Sequence, residues 1–379
     1  MDRYCALFLA LFFRHHDDTG PKPSPFPQLS RQVNKSSPSP IIVFAIIAGV
    51  LLSCRRTDDG GKTAGVAATP TPAPSSPGPW RELRYPTGRE NLLAWETPGV
   101  LMPSVNGDPK FATFGSVRSE RVAKRILAAF HEGIDIAPLA HDRHGRATDE
   151  VRAIAPGRVE YLNRYPGNSD YGTYVVLAHE DPLGTVYSLY GHLSRPAEAI
   201  KPGKAVAAGE AIGVMGNTSG GYKIPVWRSH LHLEIALMLN SRFRGWQKSQ
   251  KIVPDHGNSN GWNLVGIDPL RLYREHGANP DFTLAELLDA VPAAFEIVAK
   301  LARVPDYFDR YGALWNVPDF AGGAVVLSCA ENGLPLAARA ADPEKEQLLA
   351  KKNYAIVGVN EEALGRNGAR IVVRSRGRW

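Results

Sequence analysis

Between Trp80 and Tyr273 the chain alternates apolar and polar positions in short runs and interrupts them with glycine. RVEYL, TYVVLAH, TVYSLYGHL and HLHLEIAL each carry the period of two that sends successive side chains to opposite faces of a strand. Such runs predict a mainly β domain built from antiparallel sheet. AIKPGKAVAAGEAIGVMG places a small glycine-containing turn before each apolar step, which suits short strands packed at the end of a sheet. Only Arg121 to Phe130 has a helical period in this region. Beyond Gly277 apolar residues fall at helical spacing from Leu284 to Leu301, with Asp281 or Thr283 placed to cap the start. AVVLS, YAIVGV and RIVVRS then read as strands, with Glu344 to Lys352 as a helix between them. A small C-terminal α+β unit over residues 280–379 is expected, with Cys329 buried in it as a small apolar side chain.

The N-terminal pattern is of another kind. The apolar run Ile41 to Leu52 ends in Leu51, Leu52, Ser53, Cys54, with Arg31 and Lys35 upstream. A spanning helix needs about 20 apolar residues, so this run is short for a membrane crossing and matches the apolar section of a secretory signal. Its end resembles the lipobox of bacterial lipoproteins, which implies a membrane anchor on Cys54. The apolar stretch Cys5 to Phe13 precedes the run and makes the leader longer than usual; a start near Val33 would restore the usual length. From Arg55 to Trp80 the low-complexity stretch TPTPAPSSPGP has nothing to bury and reads as an extended tether. The expected organisation is therefore a signal and lipobox over 1–54, a tether over 55–80, a lead-in over 81–113, the β domain over 114–275 and the α+β unit over 280–379. A lipid anchor would place the protein in the cell envelope, on the periplasmic face of a membrane, or secreted.

Composition narrows this picture modestly. Among 379 residues, 36 Gly and 30 Pro argue against an all-helical protein, and the net charge of +6 favours anionic surroundings. There is no zinc-finger spacing and no long Lys/Arg run, so no nucleic-acid partner is expected. Three cysteines, Cys5, Cys54 and Cys329, are too few and too scattered for a disulfide framework.

Three short motifs carry candidate chemistry. His131, Glu132, Gly133, Ile134, Asp135 places its His and Asp four apart, so that on a strand both lie on one face and Ile134 and Ile136 on the other. Alone, such a pair is an ordinary surface ion pair. His230, Leu231, His232, Leu233, Glu234 alternates strictly, with histidines and glutamate on one side and leucines on the other. Alone, this is a half-buried strand with solvent-facing histidines. Tyr190, Gly191, His192, Leu193 ends a strand with a further histidine. Taken together, two imidazoles and a carboxylate suit zinc with a fourth position left for water, the pattern of catalytic zinc sites. Two spare histidines could place that water and stabilise an oxyanion.

In this order the motifs resemble the lysostaphin and LytM family of zinc metallopeptidases, whose signature is H-x-x-x-D followed by H-x-H. The match runs from Phe114 to Leu272. The resemblance implies an antiparallel sheet with a duplicated hybrid motif, one Zn2+ held by His131, Asp135 and His232, and catalytic histidines at His192 and His230. It implies a metalloendopeptidase acting on peptidoglycan stem peptides, on a D-alanyl to diaminopimelate cross-link or a glycine-containing bridge. The alternative is a wall-binding activator of other hydrolases without catalysis, against which the complete set of five residues counts. The glycine turns also resemble lipoyl, biotinyl and phosphotransferase carrier domains, but no lysine stands in the hairpin context those carriers use.

Three stretches are longer than the family pattern: Leu139 to Glu150, Gly220 to Ser229, and Asn240 to Gly261 before Asp268 and Pro269. Tyr222, Trp227, Trp246 and Trp262 lie in or beside them, either packed or free to stack on substrate. Glu234 stands either behind His232 or exposed on the strand. His141 and His144 read as residues of a solvated loop. Asn91 or Asn106 in the lead-in could reach a metal as an inhibitory cover.

Overall fold

A computed structural model describes residues 78–365 apart from 104–106, 123–124, 250–252 and 254, with the backbone alone for 118–129. The leader with Cys54, nearly all of the tether, Asn106 and RIVVRS lie outside the described residues. Among the described residues no helix is long and apolar enough to cross a membrane.

The central sheet runs in the order β12 (Leu264–Ile267), β11 (Leu231–Met238), β7 (Gly184–Leu193), β6 (Thr173–Asp181), β5 (Gly157–Asn163) and β9 (Ala205–Val206). A short strand, β3 (Ile134–Ile136), pairs with the first half of β11, while β12 pairs with its second half. All these pairings are antiparallel, as the alternating runs require. A smaller sheet joins β4 (Glu150–Arg152), β10 (Ala211–Val214) and β8 (Arg195–Pro196); of these β10 comes from the glycine-turn region, whose other strand is β9. The protein is thus mainly β.

Every residue of β11 is buried. Leu231, Leu233, Ile235 and Leu237 enter the main apolar core with Val175, Leu177, Val186 and Tyr190. The other face carries a second cluster, in which Ala236 and Met238 pack with Tyr174, Val176, Ala178 and Leu189. His232 and Glu234 share that second face, because side chains two apart on a strand point the same way. The half-exposed reading of this strand is therefore replaced by a polar site enclosed at one end of an apolar layer.

Two helical expectations fail, each for a local reason. Leu284 to Leu301 divides into a helix, α3 (Leu284–Asp289), and a strand, β13 (Phe295–Leu301); helices α1 (Phe243–Ser249) and α2 (Pro269–Ala278) precede it. Thr283 does cap the start, in a reciprocal capping box with Glu286. Pro292, however, lacks an N–H and disfavours helical backbone at Val291, so the helix stops short of it. Arg121 to Phe130 belongs to a hairpin of β1 (Val117–Val122) and β2 (Arg125–Phe130). A ten-residue helix is marginal on its own, whereas the hairpin pairs its backbone at once. The helix expected at Glu344 to Lys352 is shorter, Pro343–Gln347.

The C-terminal strands form a sheet in the order β14 (Trp315–Asn316), β16 (Pro335–Ala340), β15 (Gly323–Cys329), β13 and β17 (Tyr354–Val359). Cys329 is buried there, and burial pushes its thiol up to about 12. This unit is not merely appended. Tyr307, Phe308, Tyr311, Val325 and Leu327 join the same core as the central sheet. The Tyr311 hydroxyl accepts from Met238 N at 2.9 Å and donates to Thr185 O at 2.9 Å, bridging β11 and β7 just beyond their last paired residues. Near the first of the described residues, buried Trp80 donates through Nε1 to Asp181 at 2.8 Å and lies against His179, with ring centroids 5.5 Å apart.

Two outcomes are expected. Tyr311→Phe leaves Met238 N and Thr185 O without that bridge and should lower stability by about 2 kcal/mol in urea unfolding. His179 is fully buried, with Nδ1 2.8 Å from Pro156 O and Nε2 2.7 Å from Ser188 Oγ, and burial lowers its imidazole to about 4. Below its ordinary pKa of about 6.5 the unfolded chain takes up the proton first, so stability falls as pH drops from there toward 4, by up to about 1.4 kcal/mol per unit. His179→Gln should remove one proton's worth of that slope in unfolding titrations at stepped pH.

Candidate metal centre

Asp135 and His232 are direct cross-strand partners, and on its other edge His232 faces Gly191. Paired residues project to the same face, so the ladder alone brings the carboxylate and the imidazole together. His131 approaches from the segment before β3. His131 Nε2 lies 3.0 Å from Asp135 Oδ1 and 3.2 Å from His232 Nδ1, and His232 Nδ1 lies 2.8 Å from Asp135 Oδ1. A tetrahedral ion with bonds of about 2.0 to 2.1 Å separates its ligand atoms by about 3.3 Å. The three atoms are already close to that spacing, and they form a buried group able to hold a metal ion.

The far ring nitrogens fix the tautomers. His131 Nδ1 donates to Thr113 O at 2.9 Å, which leaves Nε2 toward Asp135. His232 Nε2 donates to Glu234 Oε1 at 2.8 Å, which leaves Nδ1 toward the same point. Glu234 is 1% exposed and also accepts from the Tyr171 hydroxyl at 2.8 Å. Of the two readings of Glu234, the structure therefore takes the one behind His232. The support that Tyr171 gives was not legible in the sequence, since nothing in the spacing joins residues 171 and 234.

His192 reaches the site through a backbone irregularity. Opposite β6, Thr173 pairs with Leu193 and Val175 with Tyr190, so Gly191 and His192 together face Tyr174 in a β-bulge. His192 has φ +60°, a left-handed conformation rare outside glycine. The bulge turns its ring toward its neighbours: its centroid lies 4.7 Å from that of His230 and 5.8 Å from that of His232. His192 Nδ1 donates to Thr218 O at 2.8 Å, and His230 Nδ1 donates to Arg228 O at 2.7 Å. His230 Nε2 lies 3.6 Å from Asp135 Oδ1.

The electrostatics divide these groups. Burial lowers the imidazole of His192, which His230 and His232 depress further, and burial likewise lowers His230 against the pull of Asp135. Both rings are neutral at pH 7. Burial opposes ionisation of Asp135, but His131 and His230 outweigh it and hold the carboxyl well below its usual range. Burial also opposes a charged His232, yet hydrogen bonds to Asp135 and Glu234 raise it to about 9. A cation between His131, Asp135 and His232 would take the place of that proton on Nδ1.

Of the remaining candidates Tyr222 comes beside His192, edge-on with ring centroids 6.5 Å apart, and the other described ones are not gathered here. His141 and His144 are exposed on a turn, where His144 accepts from Arg143. Asn91 is exposed; the lead-in instead braces β3 from outside, with Met102 N donating to Asp135 O at 2.8 Å. Trp246 and Trp262 pack against the core, while Tyr222 and Trp227 are 55% and 72% exposed.

Residues 129–243 match the sequence model of Peptidase family M23. That segment is similar to an M23 peptidase domain. Similar solved structures include a zinc containing peptidase from Vibrio cholerae, 24% identical at TM-score 0.24 over 32% of this chain and 31% of that one. Another is the antimicrobial peptidase lysostaphin from Staphylococcus simulans, 21% identical at TM-score 0.26 over 39% and 46%. The catalytic domain of lysostaphin is 22% identical at TM-score 0.27 over 43% and 89%. The chain spans 31% and 46% of the lengths of the Vibrio cholerae peptidase and of a putative M23 peptidase from Pseudomonas aeruginosa. No curated protein matches the chain.

Loss of the bond behind His232 should weaken metal binding without removing a ligand. Glu234→Ala is expected to lower zinc affinity by about 10- to 100-fold in competition with a chelating dye. An unchanged affinity would mean that Glu234 does not orient the ring.

Proposed function

We propose that this chain is a zinc-dependent metalloendopeptidase that hydrolyses peptide cross-links of bacterial peptidoglycan. The observation that carries the reading is the convergence of His131 Nε2, Asp135 Oδ1 and His232 Nδ1, 2.8 to 3.2 Å apart, beside two neutral buried histidines. The donor set of two imidazoles and one carboxylate suits a catalytic zinc site. Zinc, when bound, supplies a water of lowered pKa and polarises a carbonyl oxygen.

The chain's own residues divide the remaining work. His131, Asp135 and His232 would hold the ion, with Thr113 O and Glu234 fixing the two rings. His230 is neutral with Nδ1–H committed to Arg228 O, so Nε2 has a lone pair to take a proton from the attacking water. His192 is held by Thr218 O in the same way, so its Nε2 also carries a lone pair; once that nitrogen has taken a proton released by the water, its N–H can donate to the charge that grows on the carbonyl oxygen. The buried setting strengthens such hydrogen bonds by excluding water.

The lipobox-like Cys54 and the tether that follows support a wall substrate reached from a membrane, in an envelope whose cross-links join D-alanine to diaminopimelate. Mass analysis of peptidoglycan digested by the purified protein tests the reading. Zinc-loaded protein should release peptides cut at cross-links, chelation should stop release, and added zinc should restore it. His230→Ala should retain one zinc per chain and lose activity by about a hundredfold or more. Absence of soluble fragments under zinc-replete conditions would remove the peptidase reading, and a His230→Ala protein that keeps its cellular effect would point to an activator of other hydrolases.

A further inference from the structure

The candidate ligands are held in two different ways. Asp135 and His232 face each other in a hydrogen-bonded ladder. His131 lies outside β3, so its place depends on what grips the segment His131 to Gly133. Part of that grip is backbone: His131 N donates to Ser116 O at 3.0 Å and Gly115 N donates to His131 O at 2.9 Å. Part is close approach, since a Cβ on Gly133 would lie 2.2 Å from Leu233 O.

The third part comes from far along the chain. Glu132 is 8% exposed, and its Oε2 accepts from Gly266 N at 2.8 Å and from Asn332 Nδ2 at 3.1 Å. Asn332 stands in the turn between β15 and β16 and is 1% exposed. Its Nδ2 also donates to Gly266 O at 2.8 Å, and its Oδ1 accepts from Leu334 N at 3.2 Å. The amide is thus engaged on both its nitrogen and its oxygen, with Glu132 and β12 on one side and its own turn on the other. There is no slack at the junction: a Cβ on Gly266 would lie 2.4 Å from Glu132 O and 2.6 Å from Oε2.

We propose that Asn332 is a positioning residue for the metal centre, fixing His131 through Glu132 and so giving the C-terminal unit a part in the site. The neighbouring peptide links Glu132 rigidly to the one ligand that the ladder does not hold. An asparagine is required because both hydrogens of one nitrogen are used, toward a carboxyl oxygen and a carbonyl oxygen. Aspartate at 332 would set oxygen against oxygen at that point, whereas glutamine at 132 keeps an acceptor there.

The inference rests on His131, Asp135 and His232 being a zinc site, and its test reads zinc affinity, not hydrolysis. The full chain and its variants are titrated with zinc against a chelating dye, after far-UV circular dichroism has shown each metal-free protein to be folded. Asn332→Ala and Asn332→Asp should bind zinc about tenfold or more weakly, while Glu132→Gln stays within about threefold of the wild type. If Asn332→Ala does not fold, the equal-sized Asn332→Asp carries the test. Wild-type affinity in the folded variants, or no zinc binding by the wild type, would overturn the proposal. Tight zinc binding without release of wall peptides would count against the peptidase reading alone.

Discussion

The site depends on one cross-strand register. In the row Asp135, His232, Gly191, three strands place a carboxylate, an imidazole and the base of a bulge side by side, and backbone hydrogen bonds set the spacing. A slip of one residue would send His232 into the apolar core and bring Leu231 or Leu233 to the site. The leucines therefore specify the metal site as firmly as the histidines do. Burying Leu231, Leu233, Ile235 and Leu237 in the main core fixes which face His232 and Glu234 must take.

A regular ladder would not deliver His192, because it follows Gly191 and would point to the opposite face. The bulge and the positive φ correct this by letting two residues stand where one would. A left-handed non-glycine residue costs on the order of 1 to 2 kcal/mol. The Thr218 O bond to Nδ1 and the Thr218 Oγ1 bond to Leu193 O offset part of that cost and lock the turned conformation. Strain of this kind persists only where the surroundings over-determine it, and here it serves to bring a second neutral imidazole beside His230.

How much of this was legible in the chain follows from the range of the signal. Period-two alternation assigned faces in HLHLE and in the His131 to Asp135 motif, because a strand's geometry is local and strict. Those motifs also drew the resemblance that the family match over residues 129–243 bears out. Helical spacing was a poorer guide. Leu284 to Leu301 satisfied the period but held Pro292, and the proline decided. Tyr171 behind Glu234, Tyr311 between β11 and β7, and Asn332 on Glu132 were invisible for another reason. Each joins residues far apart in sequence through one side chain, and no pattern along the chain records such a meeting.

The same burial acts on four ionisable side chains and leaves them in different states. Removed from water, His192 and His230 stay neutral, as desolvation alone dictates. Asp135 and His232 do the reverse, because each has a partner of opposite sign at hydrogen-bond distance. One small volume thus separates a pair of proton acceptors from a spot that favours positive charge. A cation seated at that spot would have neutral rings beside it, and a neutral ring with a free Nε2 lone pair is what a general base requires at pH 7. The separation arises from position on the sheet: the groups next to β3 find a carboxylate, and those beyond Gly191 and before Leu231 find backbone carbonyls. Geometry set by the ladder therefore determines both which residues can hold a metal and which remain free to move protons beside it.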